Sequence, residues 1–290
     1  MTNPVIGTYG HGTENDFVLV YDPENSLTIS EPQIEAICNR KTGIGADGLI
    51  RITKNDGKWF MDYRNSDGSI AEMCGNGIRV MAKYLVTRDI QPEGIFAIDT
   101  RAGIKHLRVP REGDISVNMG HVTDEMEEVE ATNNGHTWTG FNINVGNPHA
   151  VVFVDSMEDI GSLADAPLVS PASSYPEGVN VEFVEILPNF EAKMRVHERG
   201  SGETRSCGTG TCGRMSALYS RGQLALGEEF SHMSFLGTKF FGQVNEPTKI
   251  GQYDAVVPTI RGSAWVTGVA TWEIDPSDPF QTGYTLGDIW

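Results

Sequence analysis

Two stretches decide the architecture. The first is Met73-Cys-Gly-Asn-Gly-Ile78; the second, 207 − 74 = 133 residues on, is Ser206-Cys-Gly-Thr-Gly-Thr211. Each leads into a helical pattern: Ile78, Met81, Tyr84 and Leu85 recur at helical spacing after the first, and a helix over about 211–221 follows the second. Outward from this pair, Asn15 and Asn147 lie 132 apart, each near the start of an apolar strand, and Gly45-Ala-Asp-Gly-Leu-Ile50 lies 133 before Gly178-Val-Asn-Val-Glu-Phe183. Three landmarks in one order at nearly one offset imply an internal duplication, hence two related domains facing each other, with a boundary near residue 120. A length of 290 residues suits two domains, each able to bury its own core.

The remaining pattern is mostly strand. Residues 17–21 (FVLVY), 49–53 and 58–63 read as strands, and Ser30-Glu-Pro-Gln33 opens a helix as a capping box that Gly43 closes. Further strands are expected between Phe96 and Met119, at 141–144, 150–155, 180–186 and 194–198, and as a pair over 264–274. The acidic run 124–130 (DEMEEVE) lacks the alternating Asp/Asn and central glycine of a calcium loop, so it reads as a solvated connection. The expected division is 1–120 completed by a strand from about 264–275, then 121–263, with 276–290 an extension.

Composition narrows the function. Lys and Arg number 22 against 39 acids, a net charge of −17 that repels phosphate backbones and anionic lipid, so neither nucleic acid nor membrane is an expected partner. The first twelve residues carry no basic region followed by an apolar stretch, which predicts a cytoplasmic protein. Four cysteines in such a chain read as free thiols. Glycine, at 33 residues, exceeds the roughly 7% of average chains and points to close backbone approaches.

The repeated cysteine carries the chemistry. At the start of a helix the N–H groups lack partners and the helix dipole is positive, so a thiol there is drawn toward thiolate, and the glycines let amides approach a bound carboxylate. Packing alone gives no reason for cysteine at the same repeat position twice, so Cys74 and Cys207 are candidate bases, while Cys38 and Cys212 read as core or supporting residues. Gly43-Ile-Gly-Ala-Asp-Gly48 matches the dinucleotide-binding pattern but follows a helix and precedes a strand, the reverse of that fold. Gly208-Thr-Gly-Thr-Cys-Gly213 opens a helix, yet residues 199–206 separate it from the preceding strand. The cysteines lack Cys-x-x-Cys spacing, so neither zinc nor dithiol exchange is expected. Asn15, Asn65, Asn147, His149, Asn180, Glu198 and Arg199 cluster at repeat-related places and describe a polar cavity. Arg199, suited to bidentate pairing, predicts a second carboxylate on the ligand.

The ordered set Glu14-Asn-Asp-Phe17, Gly43–Gly48, Tyr63-Arg-Asn-Ser-Asp-Gly68, Met73–Gly77, Gly146-Asn-Pro-His149, Gly178-Val-Asn180 and Glu198-Arg-Gly200 through Gly210 resembles the diaminopimelate epimerase family over roughly residues 7–274. Glu14 stands where many members of that family have glycine, and Gly48 where some have glutamine. The resemblance implies an α/β (α+β) fold of two pseudo-symmetric domains, each a curved mixed sheet around a central helix, with the active site in the cleft between them. It implies cofactor-independent inversion of LL-diaminopimelate to the meso form, a step toward lysine and peptidoglycan precursors, with no metal. It makes Cys74 and Cys207 the two bases, assisted by His149 and Glu198. Asn15, Asn65, Gly75, Asn76, Asn147, Asn180, Glu198, Arg199, Gly208 and Thr209 become the substrate contacts. A homodimer is compatible with it. The competing expectations are a racemase of proline or hydroxyproline type and a non-catalytic acidic binding module with structural cysteines. Two opposed thiols a substrate's width apart are also expected to form a disulfide on oxidation when the cleft is empty.

Overall fold

The computed structural model describes residues 4–189, 191–200, 202–233, 237–273 and 277, so the expected extension over 276–290 lies, but for residue 277, outside the described residues. The first half contains β1 (Val5–Gly12), β2 (Asn15–Tyr21), α1 (Glu31–Cys38), β3 (Gly48–Asn55), β4 (Lys58–Asn65), α2 (Gly75–Thr87), β5 (Gly94–Thr100), β6 (Gly103–Val109) and β7 (Ile115–Asn118). The second contains β8 (Val122–Asn133), β9 (His136–Asn144), β10 (Pro148–Phe153), β11 (Leu168–Ser170), β12 (Asn180–Leu187), β13 (Glu191–Glu198), β14 (Gly202–Thr204), α3 (Gly208–Ser220), β15 (Glu229–Met233), β16 (Lys239–Ile250) and β17 (Tyr253–Gly262). A last strand, β18 (Trp265–Trp272), returns to the first half.

The two halves repeat one pairing scheme. In the first, β18, β1, β2, β3, β4, β5, β6 and β7 pair in that order, with β2–β3 and β4–β5 parallel and the rest antiparallel. In the second, β8, β9, β10, β12, β13, β15, β16 and β17 pair in order, with β10–β12 and β13–β15 the parallel steps. β17 pairs with β7 of the first half and also with β8, tying the sheets together.

Each sheet curls around one helix. In α2 every residue from Gly75 to Ala82 and from Tyr84 to Val86 is buried, and in α3 every residue from Gly208 to Leu218. Such all-round burial belongs to a central helix rather than one lying on a surface. Phe17, Ile50, Met61 and Ile78 fill the first core; Ile143, Val151, Val196 and Met215 continue it through the second. Each large apolar side chain so buried contributes roughly 1.5–3 kcal/mol.

Four expectations change. The run 124–130 is part of β8, with an irregularity between Asp124 and Glu128. Its acids are held by distant partners: Asp124 by Arg221 at 2.8 Å, Glu125 and Glu127 by Asn142 at 3.0 and 2.8 Å. Residues 265–272 form one strand, because their partner is β1 rather than a neighbour in sequence. The capping-box helix ends at Cys38, before Gly43. In the third landmark, strand register equates Gly48 with Asn180, since Phe17 faces Gly48 and His149 faces Asn180, so the offset there is 132.

Candidate active site

Cys74 and Cys207 each stand immediately before a helix. Their backbones are extended (φ −132°, ψ 123° and φ −130°, ψ 115°), and each Sγ accepts the N–H three residues ahead, from Gly77 at 3.5 Å and Gly210 at 3.2 Å. Sulfur thus takes the capping place that a hydroxyl or carboxylate oxygen ordinarily fills, and the helix dipole favours its anionic form. The two helix starts abut: a Cβ on Gly75 would lie 3.2 Å from Gly208 Cα, and one on Gly208 3.0 Å from Gly75 Cα. Only glycine at both places lets the helices meet end to end. All four cysteines are free and buried.

The first half supplies Asn15 and Asn76. Thr13 and Glu14, with φ of 52° and 65°, make the two-residue turn from β1 to β2 that delivers Asn15, a left-handed pair built without glycine. Glu14 Oε1 accepts the Thr238 N–H at 3.3 Å across the molecule. Asn15 Oδ1 accepts from Cys74 Sγ at 3.4 Å and from Asn76 Nδ2 at 3.3 Å, while its Nδ2 donates to Asp47 at 2.7 Å. Asn76 Nδ2 also donates to Ser206 Oγ at 3.0 Å, joining the halves directly behind the two thiols.

The second half surrounds Cys207 with proton-carrying groups. Thr209 Oγ1 lies 3.2 Å from Cys207 Sγ, and Glu198 Oε2 3.7 Å from it. His149 Nδ1 is 2.6 Å from Glu182 Oε1 and its Nε2 is 2.9 Å from Asn147 Oδ1; His149 and Glu182 are both fully buried. One donor atom each from His149, Glu182 and Cys207 lies within 4.8 Å of the others, close enough to share an ion, although both ring nitrogens are already engaged. Asn180 Oδ1 accepts the Arg199 N–H at 2.9 Å. Asn65 donates to Ser69 Oγ at 3.0 Å and lies against Gly200, whose Cβ position is 3.1 Å from its Nδ2. The Arg199 guanidinium reaches across to Glu72, at 3.2 and 3.3 Å from its two oxygens. A carboxylate is thus seated on the arginine from which the sequence predicts carboxylate binding.

Burial dominates the electrostatics. It pushes the Cys74 thiol up to about 12, helped by the Glu198 charge and opposed by the Gly77 and Asn76 N–H groups and by Arg79. Burial, then Glu198 and Glu182, hold Cys207 well above the ordinary thiol range. Glu198 rises to about 7, mainly by desolvation, against the hydrogen bond from Thr204. A carboxyl poised there exchanges protons near neutrality.

Asn15 and Asn76 beside Cys74, and Thr209, Glu198 and His149 beside Cys207, thus gather where α2 and α3 meet, with Asn147 on the His149 ring, while Asn65, Asn180 and Arg199 form a second set around Gly200 and Glu72. Glu182, Asp47, Glu72 and Arg79 join these residues without being expected from the sequence. Glu72 adjoins the Cys74 motif and Asp47 lies inside a quoted one, but Glu182 had only an acid within an apolar strand to mark it.

The diaminopimelate epimerase family profile matches residues 7–124, and the proline racemase profile matches residues 183–285. A diaminopimelate epimerase of Streptomyces coelicolor is 48% identical over 214 residues, 70% of this chain and 74% of that protein. One of Mycobacterium sp. strain KMS is 34% identical over 309 residues, covering 97% of both chains. Among solved structures, a hydroxyproline epimerase from Agrobacterium vitis superposes with a TM-score of 0.78 at 16% identity over 99% of this chain and 96% of its own. A Bacillus anthracis phenazine biosynthesis protein reaches 0.66 at 13% identity over 93% of this chain and 99% of its own. The structural likeness carries the fold and the sequence likeness, at up to 48% identity, the family: the chain belongs to the diaminopimelate epimerases.

Proposed function

We propose that the protein inverts one Cα of LL-diaminopimelate to give the meso isomer, using Cys74 and Cys207 as an opposed thiolate and thiol. The observation that carries this is the end-to-end meeting of two helices, each begun by a buried cysteine that caps it. Inverting a tetrahedral carbon requires a base on one face and an acid on the other; two such cysteines serve both without rearrangement. As one thiolate takes the Cα proton, the opposite thiol delivers its own, and the N–H groups of the two first helical turns stabilise the charge growing on the adjacent carboxylate. Thr209, Glu198 and His149 tend the Cys207 proton. Asn15, Gly75, Asn76 and Gly208 line the reacting end; Asn65, Asn147, Asn180 and Arg199 hold the distal amino-acid end.

In the same reading the domains are 1–120 completed by β18, and 121–263. The first half's sheet begins with β18 and the second's with β8, which supports that division. The exposed Ile6, Trp265 and Val269 on the β1–β18 pair support a homodimer. Among the described residues no helix is long and apolar enough to cross a membrane, and the reaction's polar substrate fits a cytoplasmic site.

The test is incubation of the purified protein with LL-diaminopimelate in heavy water, without added cofactor. Deuterium should enter at Cα and meso product form, and Cys74→Ala or Cys207→Ala should abolish both. Inversion of proline or hydroxyproline in place of diaminopimelate would replace this reading with the racemase one.

A further inference from the structure

The two halves share a frame but not its charges. Phe17 faces Gly48 and Ile50 faces Tyr63 in the first half, where His149 faces Asn180 and Glu182 faces Val196 in the second. Strands β4 and β13 end on Asn65 and Glu198 respectively. The positions that hold His149, Glu182 and Glu198 about Cys207 are therefore Phe17, Ile50 and Asn65 about Cys74, all uncharged. Each helix buries one guanidinium, but at a different turn: Arg79 stands nearer its capping cysteine than Arg214, the seventh residue of α3. Both have 13 residues, and the fifth is Arg79 in α2 but Cys212 in α3.

Arg79 is fully buried. Its guanidinium donates to three uncharged oxygens, Gly75 O at 3.0 Å, Thr13 Oγ1 at 2.9 Å and Asn76 Oδ1 at 2.9 Å, while Nε has no partner. A cation held this way is costly unless an anion forms nearby. The groups whose charge reaches it are Cys74, Asp114 and Cys212. The same asparagine that Arg79 grips donates to Asn15 Oδ1, the atom that accepts the Cys74 S–H. Arg79 is thus connected to Cys74 twice, by field and by a hydrogen-bonded chain.

We propose that Arg79 is a positioning residue that makes Cys74 the thiolate, and leaves Cys207 the thiol, whenever the pair holds a single proton. The proposal rests on the two-thiol reading above. Facing Cys74 are Arg79, Glu198 and Tyr63, with Asp47 behind the last two; facing Cys207 are Glu198, Glu182 and His149. The proton that leaves first goes from Cys74 Sγ to water. Cys207 keeps its proton because the Glu182 carboxylate, joined above about pH 7 by that of Glu198, opposes a further negative charge beside it. A substrate entering the empty cleft then meets its base on the first half and its acid on the second.

The experiment needs no substrate, so its outcome is separate from that of the diaminopimelate assay. The intact protein is alkylated with iodoacetamide from pH 6 to 10, and the labelling rates of Cys74 and Cys207 are read by peptide mass spectrometry. Cys74 and Cys207 are 8% and 3% exposed, so access to them differs, and it is the change of their ratio with substitution that reads the charge. In the wild type Cys74 should label faster at every pH below its own ionisation. Arg79→Met should lower the Cys74-to-Cys207 ratio by about tenfold, the equivalent of one pKa unit, and Arg79→Lys should restore most of it. Arg214→Met removes an equally buried guanidinium from α3 and should leave the ratio unchanged. Faster labelling of Cys207 in the wild type overturns the proposal, even if Arg79→Met does not fold. An unchanged ratio in Arg79→Met, or an equal change in Arg214→Met, overturns it as well.

Discussion

In the two-thiol proposal the contact between Gly75 and Gly208 sets how closely the thiols approach one carbon, so adding a single methyl there tests the geometry directly. In Gly75→Ala the new Cβ lies 3.2 Å from Gly208 Cα, where ordinary contacts run 3.4–4 Å. Ile260 Cδ1, at 2.7 Å, is a side-chain end that can swing away; the opposing backbone cannot. The helix starts must therefore part by about 0.2–0.4 Å. At roughly a hundredfold per ångström of misplacement, kcat/KM falls by about threefold to sixfold. Gly208→Ala, starting from 3.0 Å, falls further. Overpacking costs about 1–3 kcal/mol, which for a chain of 290 residues lowers Tm by about 2–5 °C. Because both methyls enter one gap, the double variant should lose less than the product of the single losses. Release of solvent deuterium into product measures the rate and calorimetry the Tm. Wild-type kcat/KM and Tm in both single variants would refute the end-to-end contact.

Two further outcomes follow from the site. Glu198 is raised in the folded protein from 4.5 to about 7, so the native state binds the extra proton between those values. Stability contributed by its protonated form is present below pH 4.5, declines as pH rises toward 7 and is gone above it. Glu198→Gln should flatten both that slope and the matching inflection in log kcat/KM against pH; an inflection that persists assigns it to another group. Glu72 pairs with Arg199 with 37% and 27% of the two side chains exposed, an ion pair worth about 0.2–1 kcal/mol that competes with any other carboxylate for the guanidinium. Glu72→Gln should therefore lower KM for diaminopimelate by about one and a half- to fivefold with kcat little changed, and a raised KM would instead place Glu72 on the substrate.

Much of this was readable in the chain because the chemistry sits where backbone changes from loop to helix. Cys74 and Cys207 cap helices through their own sulfurs, so a local motif states both their conformation and their use. Asn15, Asn147 and Asn180 precede or begin strands that the duplication brings to one place. Glu182 was opaque for the opposite reason: its function depends on a parallel neighbour, β10, that carries His149 alongside it, and nothing adjacent in sequence records that pairing. The acidic stretch 124–130 looked solvated because the partners of its charges, Arg221 and Asn142, lie far along the chain. Strands β15 to β17 carried no such motif, and Pro258 within β17 argues against a strand until its carbonyl is seen accepting the Met119 N–H.

β17 is bonded along one edge to β16 and along the other to β8 of the second half and then β7 of the first, and the chain crosses between halves twice, near residues 120 and 263. Two halves joined by main-chain hydrogen bonds along one shared strand keep their alignment whatever side chains they carry. In the two-thiol proposal, the opposition of Cys74 and Cys207 is then a property of the backbone, held by ladder bonds that the replacement of any one side chain leaves in place.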